Sequence, residues 1–232
     1  MRLQPPAWLS FGWPSQCLLC HRWPARPLCS DCQMRFRLRQ RRCLTCALAL
    51  PTGINDTLCG ACLRQPPPLL QCLVAVDYSY PWAPLIQQWK FHDQPSLCRH
   101  MRHWFAPNAL QLALLATQIT IPIPLSAERL RARGYNQSLL LARAICAPHI
   151  HPTLLQRLRD TAPQAGQRRT ERLHNLRHAF GVPEAARSQL AGKQVLLVDD
   201  VITTGATVHA AAQALLQAGA AGVRALAIAR TP

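Results

Sequence analysis

Four Cys-x-x-Cys pairs crowd the first 62 residues of this 232-residue chain: Cys17 and Cys20, Cys29 and Cys32, Cys43 and Cys46, Cys59 and Cys62. Two residues between thiolates let one tight turn present both sulfurs to one metal, and two such knuckles complete a tetrahedral four-sulfur shell. Four knuckles therefore predict two zinc ions, each in a closed shell with no open position, which makes the metal structural and not catalytic. Sequential pairing, first knuckle with second and third with fourth, is the simplest arrangement because the intervening loops are short; a cross-braced arrangement is the alternative. Iron–sulfur ligation is the competing use of the same thiolates. His21 beside Cys20 reads as a solvated neighbour of a complete set. Few large aliphatic residues lie between the knuckles, so the segment depends on metal, worth on the order of 10–16 kcal/mol in comparable small modules.

The chain has 11 cysteines, 49% hydrophobic residues and a formal charge of +16. The hydrophobic share supports a packed core, which excludes a disordered tail. No apolar run approaches the roughly 20 residues needed to cross a bilayer; Ala109 to Ala116 is interrupted by Gln111. Pro5, Pro6, Ser10 and Pro14 leave no continuous apolar stretch of signal-peptide length. The expectation is a cytoplasmic protein with no membrane insertion, where thiols stay reduced and metal ligation accounts for the cysteines better than a disulfide framework. Excess positive charge attracts polyanions such as nucleic acid, although Lys90 and Lys193 are the only lysines and an arginine-heavy composition is the bland account. Arg35, Arg37, Arg39, Arg41 and Arg42, interleaved with Phe36 and Leu38, fit either a phosphate-binding rail on an extended strand or a solvated basic linker. Pro66, Pro67 and Pro68 mark the expected boundary between a metal module, 1–68, and a second domain, 69–232.

Beyond the prolines, strand and helix patterns alternate, which predicts an α/β domain with a parallel sheet flanked by helices. Leu73 to Val76 reads as a buried strand, Pro84 to Phe105 as a helical stretch broken near Pro95, Ile119 to Ile123 as a second strand and Gly134 to Cys146 as a helix. The clearest stretch is Gln194 to Ala229. Val195 to Val198 is a continuous apolar run suited to a strand covered on both faces. Val208, Ala211, Ala212, Leu215 and Leu216 then recur at helical spacing, Gly219 suits a left-handed C-cap, and Val223 to Ala229 returns as a strand. A right-handed βαβ crossover puts the loop from Asp199 to Thr207 at the carboxyl end of the sheet, where open α/β folds bind ligands.

Two adjacent acids at such a strand end, Asp199 and Asp200, need a cationic or hydroxylic partner. Vicinal ribose hydroxyls and a magnesium ion supply one. Thr203, Thr204, Gly205, Ala206 and Thr207 follow as a small, hydroxyl-rich turn into a helix N-terminus, an anion cradle for one phosphate. The loop has neither the Gly-Lys-Ser/Thr ending of a triphosphate-binding loop nor a Gly-x-Gly-x-x-Gly pattern. The bland reading is that Thr203 and Thr207 only cap the helix, but capping asks for one such residue and not for two acids beside a five-residue cradle.

The segment Val198-Asp-Asp-Val-Ile-Thr-Thr-Gly-Ala-Thr207 resembles the phosphoribosyl-pyrophosphate motif of type I phosphoribosyltransferases. With it, the cysteine module, Pro122-Ile-Pro-Leu125 followed by Arg129 and Arg133-Gly-Tyr-Asn-Gln137, Thr161-Ala-Pro-Gln164, and Arg172-Leu-His-Asn-Leu-Arg-His-Ala-Phe180 resemble the ComF family nearly end to end. The resemblance implies a type I phosphoribosyltransferase-like sheet behind a small N-terminal double zinc ribbon. It implies that Asp199 and Asp200, as the catalytic acids, hold ribose and magnesium, that Thr203, Thr204, Gly205, Ala206 and Thr207 hold the 5′-phosphate, and that Arg129 and Arg133 stand on the pyrophosphate side. Residues 157–177, with Arg159, Arg168, Arg169 and Arg172, correspond to the loop that closes over the site; the same arginines also suit a nucleic-acid surface.

Two functions follow from the resemblance. One is the uptake or use of DNA, with single-stranded DNA as partner and a competence helicase as a further one; Trp82, Trp89 and Trp104 serve there as stacking platforms unless they belong to the core. The other is an active phosphoribosyltransferase in nucleobase salvage. For the cysteine module, elemental analysis is expected to find two equivalents of zinc per chain; a brown protein carrying iron and sulfide would overturn that assignment.

Overall fold

The computed structural model describes residues 16–23, 28–36, 40–53, 56–91, 94–158 and 179–232. They belong to two compact units, 1–37 and 38–232. The proline run at 66–68 lies inside the second unit, so the third and fourth cysteine knuckles are built together with the sheet.

The described residues of the first unit include the helix α1 (Ser30–Phe36), with Asp31 in its first turn and Arg35 in its last, as the helix dipole favours. The arginine alternation therefore does not lie on one extended strand: Arg35 is helical, Arg37 and Arg39 fall outside the described residues, and Arg42 makes a single antiparallel bridge with Ala49. Nor is Arg42 displayed to solvent. Its guanidinium turns inward to Asp77 at 2.6 Å.

In the second unit the elements run α2 (Gly60–Arg64), β1 (Gln71–Asp77), α3 (Trp82–Phe91), α4 (Cys98–Met101), α5 (Pro107–Leu115), β2 (Ile119–Pro122), α6 (Ala127–Arg133), α7 (Gln137–Ala144), β3 (Gln156–Arg157), β4 (Phe180–Gly181), α8 (Arg187–Leu190), β5 (Gln194–Ile202), α9 (Ala206–Gln217) and β6 (Gly222–Arg230). Four strands form a parallel sheet in the order β1-β6-β5-β2. The apolar runs at 195–198 and 223–229 thus become its two inner strands. Along β5 the side chains alternate between faces: Val195 and Leu197 join a cluster with Ala211, Ala212 and Leu215 of α9, whereas Leu196 and Val198, equally buried, lie outside that cluster. Helix α7 also packs on β5.

The tryptophans are core. Trp82, Trp89 and Trp104 are 5%, 0% and 8% exposed, and the rings of Trp82 and Trp104 pack at 4.7 Å between centroids. They are not stacking platforms for nucleic-acid bases. Strands β3 and β4 form a two-residue antiparallel ladder that brings together the two ends of the segment 159–178. That segment lies outside the described residues and contains Arg159, Arg168, Arg169 and Arg172. Among the described residues no helix is long and apolar enough to cross a membrane.

Leu197 is fully buried between β5's neighbours and α9. Leu197→Ala is expected to lower the stability of the second unit by about 2–5 kcal/mol in urea denaturation, the usual cost of a core cavity.

Candidate functional site

The chain leaves the buried stretch of β5 at Asp199 and Asp200, and each carboxylate begins by turning back on the backbone. Asp199 Oδ1 accepts from the amide of Asp200 at 2.8 Å, and Asp200 Oδ1 accepts from the amide of Val201 at 2.5 Å. Two further side chains converge on the pair. Ser138, near the start of α7, donates to Asp199 Oδ1 at 3.3 Å. Lys90, near the end of α3, places Nζ 2.9 Å from Asp200 Oδ1, with both side chains only 14% exposed. Burial, then the neighbouring Asp200, pushes the Asp199 carboxyl up to about 7, against the opposing pull of the Asp200 amide, Lys90 and Ser138. Lys90 thus balances one carboxylate of the pair, while burial and the neighbouring charge push the other toward its neutral form.

Beyond the acids, Thr203 and Thr204 are exposed, and Gly205 takes a left-handed conformation, φ 84°, at the N-cap of α9. The positive φ favours glycine there, and a Cβ would stand 3.1 Å from His209 Nε2, so that ring would have to shift slightly to admit one. Thr204 Oγ1 accepts from the amide of Ala206 at 3.3 Å, a local turn bond, while the N-cap itself is Gly205 with no side-chain cap. Thr207 occupies the first turn of α9. Burial, and then Arg230, holds the His209 imidazole below its ordinary value.

Each residue of Arg133-Gly-Tyr-Asn-Gln137 has a structural task. Helix α6 starts at Ser126, whose hydroxyl accepts from the amide of Arg129, and stops at Gly134 with φ 72°. Tyr135 donates to the carbonyl of Trp89 at 2.6 Å and so ties this turn to α3 beside Lys90. Asn136 caps α7 through the amide of Leu139 and donates to the Ile123 carbonyl at 3.0 Å. Arg133 lies over the Phe91 ring at 4.9 Å and donates to Gln137 Oε1 at 3.2 Å. Arg129 is half-buried in the first turn of α6. Of the residues read from sequence, Asp199 and Asp200 are joined directly to the Thr203–Thr207 turn by chain. Arg133 is brought to the Lys90–Phe91 end of α3, and the four arginines of 159–178 are outside the described residues. Lys90 and Ser138 were missed. The one available signal for Lys90 was its rarity, as one of two lysines in a chain rich in arginine.

The cysteines gather as sequential pairs. Cys17, Cys20, Cys29 and Cys32 form one group and Cys43, Cys46, Cys59 and Cys62 the other, with all four sulfurs of each within 4.8 Å of one another. The two groups repeat one design. In each, the residue after the second cysteine, His21 or Ala47, has φ 58°, its amide bonds to the carbonyl of the first cysteine, and the first helix-side cysteine, Cys29 or Cys59, donates its amide to the Sγ of Cys17 or Cys43. Sulfurs of Cys20 and Cys29, and of Cys46 and Cys59, are 3.7 Å apart. That is close to the edge of about 3.8 Å of a tetrahedron with metal–sulfur distances of about 2.3 Å, and far from a disulfide bond of about 2.05 Å. Burial pushes the Cys17 and Cys43 thiols up, but backbone amides, with the Thr45 hydroxyl at Cys43, outweigh it and bring both to about 6. Each group therefore fits a four-thiolate metal site.

The Asp199 carboxyl sets a pH dependence of stability. In the unfolded chain it ionises near 3.8 and in the folded protein near 7, so between these values the folded state keeps a proton the unfolded state has lost. Its contribution is whole below pH 4 and falls away as pH rises through 7. Stability measured in urea is expected to drop from pH 5 to pH 8 by more in the wild type than in Asp199→Asn, the difference being on the order of 2–4 kcal/mol. Equal drops would show that Asp199 ionises as an ordinary carboxylate.

Residues 152–232 match the family model for the phosphoribosyl transferase domain. Along nearly the whole chain, the DNA utilization protein YhgH of Salmonella typhi is 33% identical over 234 residues, covering 94% of this chain and 98% of that protein. Its namesake in Escherichia coli strain K12 is 32% identical over 231 residues, with the same coverage. Competence protein F of Haemophilus influenzae is 30% identical over 213 residues, covering 88% and 90%. Because this similarity spans the cysteine clusters and the acid-bearing strand alike, the chain belongs to the ComF family of competence and DNA-utilization proteins with a phosphoribosyltransferase-like domain.

Proposed function

We propose that this protein serves the uptake or use of DNA and binds phosphoribosyl pyrophosphate with magnesium at the end of β5. The observation that carries the sugar site is the pair Asp199 and Asp200, held at the mouth of a buried strand against Lys90 and Ser138 and followed at once by the glycine turn into α9. Asp199 and Asp200 would hold the ribose hydroxyls and magnesium. Thr203, Thr204, Gly205, Ala206 and Thr207 would hold the 5′-phosphate, and Arg129 and Arg133 would stand on the diphosphate side. Arg159, Arg168, Arg169 and Arg172 would approach the diphosphate from the segment 159–178. Magnesium, when bound, would neutralise charge on the diphosphate, while Lys90 pairs with Asp200. Each four-cysteine group would hold one structural zinc ion.

The DNA role is supported by the names of the related proteins and by the formal charge of +16, which suits a phosphate backbone. Isothermal titration with phosphoribosyl pyrophosphate and magnesium tests the sugar site: the wild type is expected to bind, and Asp200→Asn to bind at least about tenfold more weakly, a loss of about 1.4 kcal/mol. No heat with the wild type at millimolar ligand would refute the reading. Repeated with single-stranded DNA, the titration is expected to show DNA binding that weakens steeply with salt and reciprocal coupling of the two ligands, if they are coupled at all. Release of pyrophosphate would mark the protein as an active transferase.

A further inference from the structure

Arg230 ends β6 and is only 9% exposed, a cation set into the interior. Its guanidinium is met by backbone carbonyls. Nε donates to Cys46 at 3.2 Å, while Nη1 is shared among Thr203, Ile202 at 3.3 Å and Thr231 at 2.9 Å. One side chain thus joins the second cysteine group, at the carbonyl of Cys46, to the first residue of the turn that leads into α9. Beside it lies a small gap lined by Cys46, Ile202, Thr204, Gly205, His209 and Arg230, and next to that gap Ala47 of the knuckle shares one buried cluster with Ile202 and Val208, which flank the turn. The knuckle itself is fastened to the sheet. Ala47 belongs to the main core, the carbonyl of Leu44 accepts from the amide of Cys72 at 2.7 Å, and Arg42 bridges Ala47 and Asp77.

We propose that Arg230 is a positioning residue for the Thr203–Thr207 turn, and that through it the second cysteine group, when metal-loaded, controls the order of that turn and its affinity for a sugar phosphate. A planar guanidinium can serve two carbonyls on opposite sides at once, which a lysine ammonium on a flexible stem does far less well. With the Cys43–Cys46 knuckle held by metal, the Cys46 carbonyl is a fixed anchor and the turn is ordered before any phosphate arrives, which lowers the entropic cost of binding. With the knuckle loosened, the anchor is lost although no residue of the turn has changed. The second cysteine group, Arg230 and the turn all lie within one compact unit. The affinity arm of the proposal rests on the sugar-phosphate reading above; the order of the turn does not.

The test is amide hydrogen exchange, followed by mass spectrometry on the full chain, for peptides covering 202–207, in the wild type, Arg230→Met and Arg230→Lys, each before and after metal is removed by a chelator. In the wild type, chelation is expected to speed exchange there by roughly tenfold or more. In Arg230→Met exchange is already fast and chelation adds less than about twofold, the signature of one shared linkage. Arg230→Lys keeps the buried charge and folds if Met does not; it is expected to behave like Met, since the loss is of the two-sided contact. Equal acceleration by chelation in wild type and variants, or none in the wild type, overturns the proposal. Titration of the same samples with phosphoribosyl pyrophosphate and magnesium is expected to show affinity following turn order. Absence of binding in the metal-loaded wild type would remove the sugar reading and leave the exchange result to decide the linkage.

Discussion

Two carboxylates at the mouth of a strand buried on both faces set the terms for the rest of the second unit. Asp199 and Asp200 cannot both ionise beside one another in a half-buried site without a counter-charge, and the chain supplies Lys90 from α3 and a hydroxyl from Ser138 on α7. Those two helices must therefore converge on the end of β5. Tyr135 ties the turn before α7 to the end of α3, and Asn136 ties it to the residue just beyond β2. The acids, their counter-charge and the turn into α9 are thus one mechanical object, gathered at the carboxyl edge of the sheet.

The cysteine groups are a duplicated design put to two uses. Both have a knuckle with a left-handed residue after it and a short helix with one of the other two thiols inside it and one just before it. The first belongs to a compact unit of its own. The second lies along the outer edge of β1, where Leu44 takes up the amide of Cys72, and so covers an edge that would otherwise offer unpaired backbone groups. Its knuckle reaches Arg230 and, through it, the Thr203–Thr207 turn. A metal site that looks in sequence like a separate appendage is, for its second half, part of the frame of the α/β domain.

Much of this was legible in the residues. The spacing of the eight cysteines favoured sequential four-thiol groups, because short loops close locally at least entropic cost, and the structure chose them over the cross-braced alternative. The apolar runs at 195–198 and 223–229, with helical spacing between them, determined the inner strands and placed the acids at their carboxyl end. Gly219 takes the left-handed conformation its position demands, with φ 99°. Period alone misled in two places. The alternating arginines after Cys32 look like a strand, but Arg35 completes a helix that begins at the metal site and Arg42 is drawn inward by Asp77. The separate helix α6 was hidden between two motifs because its seven residues carry little apolar signal.

What only the tertiary structure decided is which distant residues meet. Lys90 reaches Asp200 across 110 residues and Arg230 reaches Cys46 across 184. Local pattern has no term for such pairs. The periodicity of a strand says which face a residue takes, and the chemistry of a loop says what it could bind, but the partner of a buried charge is set by how helices and knuckles pack on the finished sheet. The sequence by itself determined which residues could bind metal and where the acids stand along the chain; folding decided what balances their charge and what holds the Thr203–Thr207 turn in place, since both depend on contacts between segments that are neighbours only in space.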